Sequence, residues 1–165
     1  MIELLPYQPD LAAAVFRDLD PWDRLEAEAV RGAPQHYLGL FGDWHAVARQ
    51  HLATVVLARR GPLGLRPFAV AGLANTGTAG LAEVAFLASD HRKHRWSIGR
   101  AAVQFRPLFL EACQNGGISR VEARCWADHP TAPAFLAHFG FSHQCDLPGT
   151  GRGGAYTFRL FALTL

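Results

Sequence analysis

Five consecutive side chains that carry or accept a proton, His91, Arg92, Lys93, His94 and Arg95, stand just ahead of Trp96, Ser97, Ile98, Gly99 and Arg100. Cationic and small residues at the start of a helical apolar pattern suit an anion site. The unpaired backbone N–H groups of a first helical turn, with the helix dipole, favour a phosphate or pyrophosphate there. Two other uses stay open. One is a solvated helix start, whose exposed charges contribute little. The other is a nucleic-acid patch, against which the lack of interleaved stacking aromatics beyond Trp96 counts.

The remaining reactive residue types are less organised. Cys113, Cys125 and Cys145 are an odd number without C-x-x-C spacing, which suggests neither a disulfide framework nor a zinc site. The eight histidines include His91 and His94 in the basic stretch and His45 and His51 six apart, a spacing with no defined metal geometry. No metal is expected, and no cysteine has an assigned base.

The elements that must position these groups follow from periodicity. "IELLPY" reads as a first strand, and "PDLAAAVFRDL" and "PWDRLEAEAVRG" as two helices, the second capped by Asp20 with Pro21 at its first position and closed by Gly32. "GDWHAVARQHL" predicts a third helix capped by Asp43, with Trp44, Val47, Ala48 and Leu52 on its apolar face. "TVVLARR", "PFAVAGLA" and "LAEVAFLAS" read as three strands, the first two joined by "GPLGLR". A helical face starts at Ile98 and ends at "NGG", with a kink or restart expected at Pro107. "SRVEARCWA" is a strand, "TAPAFLAHFGF" a short helix stopped by Gly140, and "FSHQCDL" and "AYTFRLFALTL" a closing pair around a Gly-rich loop. This order predicts an α/β fold, a mixed sheet with helices on both faces.

Composition bounds the rest. With 165 residues, half of them apolar, the chain fits one domain over residues 1–165 with room for a core. The net charge of +2 does not by itself imply nucleic-acid binding. The charge is unevenly placed: residues 1–45 carry eight acids and three arginines, so any anion site should lie later. The start lacks the basic and apolar regions of a signal peptide, and no apolar run approaches the roughly 18 residues that span a bilayer. A cytoplasmic protein away from the membrane is expected.

The strand, loop and helix around residues 81–112 resemble the acyl-CoA-binding signature of the GNAT N-acetyltransferase superfamily, [R/Q]-x-x-G-x-[G/A], which falls on His94, Arg95, Trp96, Ser97, Ile98 and Gly99. Gly99 matches, whereas His94 and Ser97 depart from the usual Arg or Gln and Gly. "HPTAPAFLAHFGF" resembles the second motif, N-x-x-A-x-x-x-Y-x-x-x-G-F, with Ala132, Gly140 and Phe141 in place, His129 at the Asn position and Leu136 at the Tyr position. "AEVAFLAS" is similar to the strand whose Glu is the general base in the histone-acetylating branch.

The resemblance implies a single-domain GNAT-type acyl-CoA N-acyltransferase fold with a mostly antiparallel sheet. It also implies acetyl-CoA as cosubstrate and direct transfer to a primary amine, on a small molecule or a peptide. Glu83 would be the base. The strand end at Phe86, Leu87 and Ala88 would hold the pantetheine arm, with His94 to Arg100 and His129 binding the rest of the cofactor. Leu136 cannot serve as general acid, which leaves His138, Tyr156 and Cys125 as nearby candidates. The acidic stretch from Asp18 to Glu28 would form an acceptor wall that attracts cationic amines, and a homodimer stands as an open arrangement. The segment "WDRLEAEAVRG" and the departures at Ser97 and Leu136 also resemble small internal virion proteins of tailed phages that keep an acetyltransferase-like fold without its full motif. That makes a structural or binding role the alternative to an enzyme.

Overall fold

The computed structural model describes residues 1–62 and 64–165. Seven strands, β1 (Ile2–Pro6), β2 (Ala53–Gly61), β3 (Gly64–Asn75), β4 (Leu81–Ala88), β5 (Arg120–Trp126), β6 (Ser142–Thr150) and β7 (Tyr156–Thr164), form one sheet in the order β1-β2-β3-β4-β5-β7-β6. All neighbours are antiparallel except β4 and β5. Among the described residues five α-helices accompany it: α1 (Pro9–Arg17), α2 (Pro21–Arg31), α3 (Tyr37–Ala48), α4 (His91–Asn115) and α5 (Ala132–Phe139). This is the expected mixed, mostly antiparallel sheet.

The helices divide between the two faces because their apolar stripes do. Ala12, Val15 and Phe16 of α1 and Leu40, Trp44 and Ala48 of α3 pack with Val56 and Val70. On the other face Ala101 of α4 packs with Ile2, Leu57 and Phe68, while Cys113 joins Leu136 of α5, Val121 and Phe141. Among the described residues no helix is long and apolar enough to cross a membrane.

Asp20 caps α2 as expected, its carboxylate accepting from the Trp22 N–H at 2.9 Å, and Gly32 closes the helix at φ +71°. Three boundaries differ from the sequence reading. α3 begins at Tyr37, capped by the His36 ring, because Leu40, Trp44 and Ala48 at spacings of four carry the burial, while Val47 and Leu52 are exposed. Asp43 sits inside that helix, paired with Arg31 at 2.9 Å. α4 begins at His91, seven residues before Ile98, with Asp90 as its cap. It also runs through Pro107 without a restart, since the carbonyl left without a donor belongs to the exposed Val103.

Candidate active site

The parallel pairing of β4 and β5 is limited to Leu81–Arg120, Ala82–Val121 and Glu83–Glu122. Past Glu83 the strands part, and a cavity of about 620 Å³ opens between them. Val84, Phe86, Ala123, Cys125, Leu136 and Phe158 give it an apolar lining. Arg95 and Gly99 of α4 and Ala134 and His138 of α5 also line it, as do Glu26 and Val30 of α2 and Leu147, Thr150 and Gly151 of the last hairpin.

Separated strands leave backbone groups without ladder partners, and such groups must be satisfied when buried. Groups of α2 and of its cap residue do this. Asp23 Oδ2 accepts the Ala88 N–H at 2.7 Å, the Asp20 N–H donates to the Ala88 carbonyl at 3.0 Å, and Glu26 Oε2 accepts the Trp126 N–H at 2.9 Å. Asp23 and Glu26 are three apart on α2, hence on one helical face, and they bridge the two sides of the opening. Phe86 precedes Ala88 by two, so its N–H and C=O point the same way, into the cavity. Leu87 points its backbone groups toward β3, where it pairs with Val70. Of the three strand-end residues expected to hold a pantetheine arm, Phe86 alone therefore offers its backbone.

Asp23 is the hub of a buried polar cluster. His129 Nε2 lies 3.0 Å and His91 Nε2 3.3 Å from its Oδ1. Burial alone would push the Asp23 carboxyl up, but the hydrogen bonds from His129 and His91, the charge of His91 and the Ala88 N–H hold it below the ordinary carboxylate value. Burial works to lower His91 too, yet Asp23, then Asp20 and Asp90, raise it above the ordinary imidazole value. Asp23, His91 and His129 bring ligand atoms within 4.8 Å of one another. His129 is nonetheless a poor metal ligand, because its Nδ1 accepts the Thr131 and Ala132 N–H groups at 3.2 and 3.0 Å, leaving its proton on Nε2. The same bonds commit both ring nitrogens to the start of α5 and to Asp23, so neither is left for a cofactor arm.

The cationic stretch is helix rather than loop. Ser97, Ile98 and Gly99 lie about 9 to 12 Å along α4 from its first residue, at 1.5 Å per residue, so their N–H groups belong to the helical ladder. At the true start of the helix the donors are already taken. The His91 N–H bonds Asp20 Oδ2 at 2.7 Å, and those of Arg92 and Lys93 bond Asp90 Oδ1 at 3.1 and 3.2 Å. A backbone anion cradle at this helix is thus filled by the chain's own carboxylates. The side chains scatter: Arg95, Ile98 and Gly99 line the cavity, His94 stacks on Phe68 at 5.6 Å, Ser97 is buried, and Trp96 and Arg100 are exposed.

Glu83 reaches the cavity but is committed. Its Oε1 accepts from both Nε and Nη2 of Arg124, so one of its two oxygens is held by a guanidinium. Of the three candidates for general acid, His138 lines the cavity, and Tyr156 does not. Cys125 lines it as well, but burial and then the charge of Glu26 push its thiol up to about 12. The acidic wall is also turned inward, because Asp20, Asp23 and Glu26 bond the groups described above and Glu28 accepts from the Gln35 N–H. Glu26 is the site residue that sequence reading missed. Its partner Trp126 lies 100 positions away, and only the i, i+3 spacing with Asp23 hinted at a shared face.

No family model matches the sequence, and no curated protein matches it either. Solved structures do. A GNAT-family acetyltransferase from Bacillus anthracis superposes with a TM-score of 0.73 at 8% identity, over 99% of this chain and 94% of that one. A Salmonella typhimurium protein described as an acetyltransferase, solved with its cofactor acetyl-CoA, superposes at 0.66 with 10% identity, covering 99% of this chain and 94% of the other. The ribosomal-protein-S18-alanine N-acetyltransferase of Escherichia coli gives 0.63 at 16% identity, again over 99% and 94%.

Proposed function

We propose, from the GNAT acyl-CoA N-acyltransferase fold that this chain adopts, that it moves an acyl group from acetyl-CoA directly onto a primary amine. The observation that carries this reading is the parting of β4 and β5 after Glu83 and Glu122 around an apolar cavity of about 620 Å³ lined from α2, α4, α5 and the last hairpin. Holding two substrates together in one such cavity is what direct transfer between them requires.

The chain's groups fit acetyl-CoA in part. The apolar walls and the inward backbone of Phe86 would hold the acyl-bearing arm, and the Phe86 N–H would polarise a thioester oxygen. The diphosphate does not find backbone donors, since Asp20 and Asp90 occupy those of α4. Arg95, by its charge, and His138, by hydrogen bonding, would hold it instead, both lining the cavity. The thioester supplies the activated acyl group. The chain supplies position, exclusion of water by Phe135, Leu136 and Phe158, and a carboxylate for the acceptor's proton.

A second reading has a specific observation behind it. The carboxylate-filled start of α4, together with Leu136 where a hydroxyl would protonate the leaving thiolate, favours a protein that keeps the fold for binding or structure without transfer. Calorimetric titration with acetyl-CoA, followed by thiol release with a panel of primary amines, separates the two. Binding with amine-dependent thiol release supports the transferase. No heat at millimolar acetyl-CoA removes it and leaves the binding role.

A further inference from the structure

We propose that Glu26 is the general base that takes the proton from the acceptor ammonium, an assignment that rests on the transferase reading above. Three carboxylates face the cavity: Asp23, Glu26 and Glu83. Asp23 is spent on the Ala88 N–H and two imidazoles, while the partly exposed Glu83 holds the Arg124 guanidinium through Oε1. Glu26 has one bond among the described residues, from the Trp126 N–H to Oε2, and it leaves Oε1 without a protein partner. It lines the cavity with Val30, Leu147, Thr150 and Gly151, and its bond to the Trp126 N–H holds it at the parted end of β5. An amine in the cavity beside the last hairpin would have this free oxygen within its surroundings.

The environment suits the task. Burial lifts the Glu26 carboxyl from an ordinary 4.5 to about 7, against the pull of the Trp126 N–H and of His129, with a further push from Asp23. A base poised there is partly ionised at neutral pH and still holds a proton well. The titratable groups facing it are Asp23 on its own helix, His129 ahead of α5 and Cys125 on β5, with His91 of α4 behind Asp23. In the step itself Glu26 carboxylate accepts one proton from R–NH₃⁺. The neutral amine then attacks the thioester carbon, so that a C–N bond forms and the C–S bond breaks. The amide nitrogen gives up a second proton to the departing thiolate, and Glu26 returns its proton to solvent.

The test compares the wild type, Glu26→Gln and Glu83→Gln in a thiol-release assay from pH 5.5 to 9.5, with acetyl-CoA and ethanolamine, an N-terminal alanyl peptide and a lysyl peptide. Glu26→Gln should lose on the order of 10²-fold or more in kcat at pH 7, with an unchanged KM for acetyl-CoA, and recover as pH approaches the amine's own pKa. Glu83→Gln should lose less than Glu26→Gln at every pH. Carbon-13 NMR of glutamate-labelled protein without acyl donor should show one carboxyl titrating near 7 that is missing in Glu26→Gln. A wild type that transfers to an amine while Glu26→Gln keeps its rate across the range overturns the assignment and leaves the transferase reading standing. A wild type that transfers to none of the three amines overturns both.

Discussion

Replacing Glu26 by Gln should make the folded protein more stable in mild base. The carboxyl is largely buried, and burial raises it from 4.5 to about 7. A group whose folded value is raised contributes stability that is fully present below its unfolded value and is lost as pH rises through the folded one. Between about pH 4.5 and pH 7 the native state binds the extra proton, so unfolding free energy should fall by about 1.4 kcal/mol per pH unit, roughly 3 kcal/mol in all. Gln keeps the shape and an oxygen for the Trp126 N–H but cannot ionise, so this loss should vanish. At pH 8 to 9 the variant should gain about 3 kcal/mol relative to its difference from wild type at pH 4, or roughly 6 to 12 °C in Tm for a chain of this size. Urea denaturation of both proteins from pH 4 to 9 measures it, and only the difference between the curves matters, because other titrations cancel. A constant difference across that range would refute the argument, showing that the Glu26 carboxyl is not held in a desolvated site.

Asp23→Asn should cost about 3 kcal/mol, the range for breaking a buried pair on one side. The deficit should peak between about pH 4 and pH 6.5: the lowered Asp23 contributes stability that is lost as pH falls below 3.8, and the raised His91 contributes stability that is lost as pH rises past 6.5 and its folded value. Urea titrations at pH 3, 5.5 and 9 check the order. Among the thiols, iodoacetamide at pH 8 should label the exposed Cys145 and spare the buried Cys113 and Cys125, both of which burial raises. Peptide mass spectrometry reads this, and early labelling of Cys125 would show that the cavity wall opens.

What the sequence disclosed depends on how local the cause is. The cap at Asp20 and Pro21, the stop at Gly140 and the succession of strands and helices along the chain follow from neighbours a few residues apart, and they matched. The start of α4 did not, because five charged or imidazole residues hide the Asp90 cap and mask a helix whose apolar stripe begins a turn or two later. The site was less legible than the fold. His129 sits at a recognisable motif position, yet its role is set by Asp23, 106 residues earlier. Glu83 could be chosen by its place on a strand, but its pairing with Arg124 spans 41 residues. Glu26 sits within an ordinary amphipathic helix pattern. Its desolvation arises only when α2 lies across the ends of β4 and β5.

That crossing has a consequence for any anion offered to α4. Asp20 is tethered by the chain beside the helix start, and such tethering gives an effective concentration of millimolar order or above. A free phosphate must outcompete it, and a ligand that succeeds breaks the Asp20 bond to His91 and loosens α2, which also carries Asp23 and Glu26. Occupancy of the α4 terminus and the seating of α2 are then linked as opposing equilibria. Anything that detaches α2 raises the anion affinity of the terminus by the same factor by which the anion detaches α2, so phosphate binding doubles as a gauge of how firmly the N-terminal segment is held.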